Sequence, residues 1–236
     1  IHGACGRAPD AGDGGPGHAG TSSMTFTRAL ATVAALAMLA ACDKDKEAEP
    51  PAELVDIKPT LAVDRVWSTS VGGGGEKLRL ALDLATDGGT LFAAARGGEV
   101  RAIDPVKGDT RWRTDTELEL SAGPGAGGGL VVVGTNGGVL VALDAATGAQ
   151  RWRVQLSGEV LAAPLVAGDR VVVRTVDGRL RALAGADGKE LWSVEDLVPR
   201  LSLRGTSSPV LAGEAVICGF DSGKVMAVGL AGGEML

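Results

Sequence analysis

The chain has no tyrosine, three phenylalanines, four tryptophans and two histidines in 236 residues. With aromatics at 3% and hydrophobic residues at 45%, the apolar material is Val, Leu, Ile and Ala. That composition suits many short buried strands. Both histidines, His2 and His18, lie in the first twenty residues, and Cys5, Cys42 and Cys218 stand far apart with no CxxC pair. The pattern excludes a His/Cys zinc site, and no metal or other cofactor is expected. A formal charge of −6 without a basic stripe excludes a nucleic-acid surface. No charge run is long enough for a disordered acidic tail. Cys218, within Ala215-Val216-Ile217-Cys218-Gly219, is expected to pack as a small apolar side chain.

The longest apolar stretch runs from Ala29 to Ala41. It is well short of the roughly 20 residues that a bilayer-spanning helix needs. Preceded by Met24 and Arg28 and ending in small side chains, residues 24–41 have the form of a secretory signal peptide. Residues 1–23, rich in Gly, Ala, Asp and Pro, are expected to be a disordered extension or upstream sequence translated in frame. Residues 42–62, charged and Pro-containing, read as a flexible tether.

Beyond that point the sequence repeats. Trp67, Trp112, Trp152 and Trp192 recur in one register, at a period near forty, and Gly108, Gly148 and Gly188 each stand four before a Trp. Gly98, Gly138, Gly178 and Gly223 each stand four before the Ala of an apolar strand. In the third unit Val160–Ala167, Asp169–Thr175, Arg179–Leu183 and Lys189–Val194 read as strands A to D, with Asp177-Gly178 and Asp187-Gly188 as turns. Four short strands at this period predict an all-β propeller, because one such unit holds no helical pattern long enough for a helix-pair solenoid. The predicted blades are 78–115, 118–155, 159–194 and 206–236, with 65–70 as a D-type strand that would close a ring. The four Trp are expected to be blade-docking residues, each ring lying over a Gly of the neighbouring unit, where no side chain blocks the approach.

One connection departs from the template. The interval from a Trp to the Pro at the start of the next blade is the same at 112–124 and 152–164, but five positions longer at 192–209. The extra length falls between strand D of one blade and strand A of the next. Alternating strand directions put D–A connections and B–C turns on one face, so this insertion should share a face with Gly98, Gly138, Gly178 and Gly223. It should lie opposite Gly108, Gly148 and Gly188. Insertions in repeat proteins often mark the binding face.

Three resemblances add to this. Leu39-Ala40-Ala41-Cys42 resembles the lipobox of bacterial lipoproteins, which implies acylation of Cys42 and a membrane anchor. Asp43 is the residue that goes with inner-membrane retention in enterobacterial lipoproteins, so inner and outer membrane both stay open. Ala-Leu-Asp-Ala-Ala-Thr-Gly-Ala-Gln-Arg-Trp (142–152) resembles the tryptophan-docking repeat of the quinoprotein propellers, a superfamily with enzymes and cofactor-free members. Leu201-Ser202-Leu203-Arg204-Gly205-Thr206-Ser207-Ser208-Pro209 is similar to a motif of the BamB lipoproteins of the outer-membrane β-barrel assembly machinery. That resemblance implies a non-catalytic scaffold on the periplasmic face of the outer membrane. It implies that Leu201, Leu203 and Arg204 contact the POTRA region of BamA, among the other barrel-assembly components. It also implies an eight-bladed ring, of which 63–236 would supply about half. Two alternatives remain at this point. A pyrroloquinoline-quinone dehydrogenase needs Ca²⁺, a base and often an adjacent Cys pair, which this sequence lacks; a quinoprotein-like propeller used for other periplasmic binding needs none of these.

Overall fold

The computed structural model describes residues 51–236 except 57, 59, 74–79, 81 and 202–206. The chain divides into two units, 1–62 and 63–236. The described residues of the first unit form no strand or helix. Among all described residues no helix is long and apolar enough to cross a membrane.

The second unit is a partial β-propeller of four antiparallel sheets. The first holds β1 (Ala85–Asp87), β2 (Thr90–Ala94), β3 (Glu99–Ile103) and β4 (Thr110–Asp115). The second holds β5 (Leu120–Gly127), β6 (Leu130–Thr135), β7 (Val139–Asp144) and β8 (Gln150–Gln155). The third holds β9 (Leu165–Ala167), β10 (Arg170–Arg174), β11 (Arg179–Ala184) and β12 (Glu190–Glu195). The fourth has β13 (Val210–Ala212), β14 (Ala215–Gly219) and β15 (Val225–Gly229), with an isolated bridge from Val228 to Met235. Each sheet is an up-and-down meander in sequence order. The all-valine stretches at 131–133 and 171–173 are completely buried, because these central strands are covered on both faces. One core cluster joins the first two blades through Phe92, Leu120 and Val141. A second joins blades two and three through Leu140, Val160 and Val171. A third joins blades three and four through Val172, Val216 and Val228.

One strand expectation is corrected. In the third blade only Leu165–Ala167 and a bridge at Val160 pair with β10 and its end, so strand A is interrupted across 161–164. Pro164 has no N–H to give to a ladder. Residues 65–70, expected to close the ring, pair with no strand among the described residues.

The C to D pairing repeats in fine detail. Ala102, Ala142 and Ala182 stand opposite Trp112, Trp152 and Trp192, and a bulge follows each Ala. The bulge leaves Arg111, Arg151 and Leu191 without a partner residue across the ladder.

Candidate partner-binding face

Hydrogen bonds tie the connecting segments into two separate ends of the blades. At one end the C–D turns of blades two to four are bonded to the A–B turns of their own blades: Ala145 N–H to Gly129 O, Gly185 N–H to Asp169 O, and Leu230 N–H to Glu214 O. The Trp clamps are at this end. Trp67 Nε1 donates to Pro105 O at 2.9 Å, Trp112 to Ala145 O at 2.9 Å, Trp152 to Gly185 O at 2.7 Å and Trp192 to Leu230 O at 3.0 Å. In every case the acceptor is three positions before a Gly, and that Gly sits against the same indole. Gly148 shows why nothing larger serves: its φ is +73°, and a Cβ there would lie 2.6 Å from Trp112 Cε3. Gly108 meets Trp67 in the same way, Gly188 meets Trp152, and Gly233 meets Trp192. Gly233 stands at the same place of the repeat as Gly108, Gly148 and Gly188.

The turns in the first two repeats carry a further brace. Asp104 Oδ1 accepts from the amides of Val106 and Lys107 while Oδ2 accepts from Arg111. Asp144 holds Ala146, Thr147 and Arg151 in the same arrangement. Arg111 first, then the two turn amides, hold the Asp104 carboxyl down at about 2. Arg151 and Thr147 hold Asp144 at about 2 likewise. The third repeat has Ala184 and Leu191 at these positions and the fourth Gly229 and Leu236, so acid and Arg are lost together.

At the other end, each D–A connection returns onto the B–C turn of its own blade. Thr116, Leu156 and Asp196 N–H groups donate to the carbonyls of Gly98, Gly138 and Gly178. The long connection thus starts on the face of the B–C turns. Asp196 pins its start to the fourth blade, accepting from Ser222 Oγ and, at 2.9 Å, from Lys224 Nζ. Those two bonds hold the Asp196 carboxyl below its ordinary range. Sequence reasoning missed Asp196, whose partners belong to the next blade and carry no local signal. At the far end Ser207 Oγ bonds both the N–H and the C=O of Gly219. Between the pinned ends Leu197 is 80% exposed and Leu201 94%. Leu203 and Arg204 lie outside the described residues, as does Cys42. Cys218 is buried, and burial pushes its thiol up. Among the described residues no group of three or more His, Cys, Asp or Glu could hold a metal ion.

Comparison with known proteins agrees with this architecture. Residues 96–236 match the family model described as outer membrane protein assembly factor BamB. The chain is 59% identical over 209 residues to the assembly factor BamB of Alkalilimnicola ehrlichii, covering 89% of this chain and 54% of the relative. It is 57% identical over 194 residues to that of Pseudomonas aeruginosa, covering 82% and 51%. The chain therefore spans about half the length of these curated relatives. The crystal structure of BamB from Moraxella catarrhalis superposes with a TM-score of 0.60 at 32% identity, over 67% of this chain and 49% of that one. On these grounds, and with the repeat, the clamps and the long connection in place, the chain belongs to the BamB family of outer-membrane protein assembly factors.

Proposed function

We propose that this protein is a non-catalytic lipoprotein scaffold of the β-barrel assembly machinery that holds the POTRA region of BamA on the face of its D–A connections and B–C turns. The observation that carries this reading is the 196–209 connection. It is longer than its counterparts, is held at both ends by side-chain hydrogen bonds, and raises Leu201 almost fully into solvent. Exposed leucines on a held loop supply apolar contact at low ordering cost, and Arg is favoured at interface hot spots. Leu201 and Leu203 supply the apolar contact, and Arg204 a charge-assisted hydrogen bond. Acylation at Cys42 attaches the scaffold to the periplasmic face of the outer membrane.

The test is co-purification of a full-length version carrying Arg204→Ala with its partner. Losing a hot-spot side chain costs about 2 kcal/mol or more, roughly thirtyfold in affinity. Normal folding with poor recovery of BamA is the expected result; affinity within about twofold of the parent overturns the assignment of this loop. Mass spectrometry of the membrane fraction tests the anchor and should find an acylated Cys42 at the mature N-terminus.

A further inference from the structure

The repeats differ at a position near the end of the second strand that is buried in the second and third repeats. Residues 94, 134 and 219 are Ala, Gly and Gly, whereas β10 ends in Arg174. In the second repeat this place is filled from the next blade: a Cβ on Gly134 would come within 2.5 Å of Val160 Cγ1. Val160 bridges to Thr175 at the point where strand A of the third blade begins to pair. In the first repeat Ala94 packs on the cluster that contains Leu120, the first residue of β5. In the first two repeats the position therefore faces the segment that leads into the next blade.

Arg174 is only 1% exposed. Its guanidinium donates to the Thr175 carbonyl, lies 3.3 Å from Asp221 Oδ2, and stacks over Phe220 at 4.5 Å from the ring centroid. Phe220 and Asp221 open the B–C turn of the fourth blade, so the side chain crosses from the third blade to the fourth. Arg174 Nε has no hydrogen-bond partner among the described residues. Burying a guanidinium with incomplete bonding is costly, and apolar replacements of buried ion pairs are often neutral or stabilising. Blade packing alone, which Ala and Gly serve elsewhere, does not account for an Arg here.

We propose that Arg174 is a positioning residue for the partner-binding connection. Phe220 directly follows Gly219, the residue that Ser207 grips with two hydrogen bonds at the far end of the connection. By bracing β10 against Phe220 and Asp221, Arg174 fixes that far end as Asp196 fixes the near one. The two anchors together set how Leu201 is presented. The inference rests on the reading of this connection as the contact with BamA.

The test measures binding of the purified POTRA region of BamA to the full chain and to its Arg174→Ala, Arg174→Lys and Leu201→Asp variants, with amide exchange followed across 197–201 and 207–209. Arg174→Ala should weaken binding roughly tenfold, the scale of a coupled non-contact residue, and speed exchange in both segments. Arg174→Lys, which keeps the cation over Phe220, should recover most of the affinity. If Arg174→Ala does not fold, Phe220→Leu and Asp221→Asn each weaken one half of the same contact and should shift binding in the same direction. Binding within about twofold of the parent in Arg174→Ala, or in both substitutes, while Leu201→Asp loses it, overturns the positioning role and leaves the proposed interface standing. Normal binding by Leu201→Asp overturns the interface itself, and with it this inference.

Discussion

The two ends of these blades follow opposite rules. At the clamp end four turns are near copies: a Trp N–H to a main-chain oxygen, then a Gly under the ring, at Gly108, Gly148, Gly188 and Gly233. At the other end the equivalent B–C turn residues are Arg96, Asn136, Val176 and Asp221, each in a different environment, and one connection is longer than the others. Uniformity marks the end where every blade meets the same demand, to close against its neighbour. Divergence marks the end free to specialise, and the exposed leucines of the long connection are there.

The sharpest way to break this comparison is to remove a clamp. Trp152→Ala should cost about 3–5 kcal/mol, because it empties a buried site and leaves Gly185 O without its donor. Denaturant unfolding measures it, and a loss below about 1 kcal/mol would mean that the clamps contribute little to closure. A substitution at the opposite end should behave inversely. Leu201→Asp should leave unfolding within about 0.5 kcal/mol of the parent, yet weaken BamA capture by about 2 kcal/mol. Calorimetry and pull-down on one preparation separate the two effects.

Smaller changes sharpen the picture within the clamp end itself. Installing the missing brace in the third repeat, with Ala184→Asp and Leu191→Arg together, should add between about 0.2 and 1 kcal/mol, and neither change alone should do so. The fourth expectation concerns acid. Asp104 and Asp144 titrate at about 2 in the folded chain against an ordinary value of 3.8. Their contribution is thus complete above about pH 4–5 and is lost as pH falls through 2. Asp144→Asn should flatten the part of the melting-temperature profile between those limits, with a change of a few degrees at most. An unchanged profile would mean that Arg151 gives the turn nothing.

Much of this was legible in the sequence because the signals are local and periodic. Trp and Gly at fixed offsets and turn glycines at a regular period specify strands and turns without reference to distant residues. The loss of Asp from position 184 together with Arg from position 191 was also there to be read as a pair. Other features depend on contacts that sequence spacing does not encode. Asp196 lies just beyond the predicted strand 189–194, and its role shows only with Ser222 and Lys224 beside it. Arg174 reads as the charged end of an apolar strand until Phe220 and Asp221, from the next blade, enclose it. The strand expected at 160–167 pairs only at Val160 and 165–167, whereas β5, with Pro124 at the equivalent place, runs on with a register shift.

Each indole bonds to a carbonyl oxygen and rests on a Cα, so the clamp needs nothing from the side chains of the two residues between its acceptor and its Gly. Val106, 74% exposed, shows how little holds that position. Residues 106–107 and 146 are therefore ready-made attachment points for a fluorophore or a short epitope. A label placed there would report on the scaffold from the end of the propeller opposite the proposed interface, leaving the leucines of the long connection unobstructed.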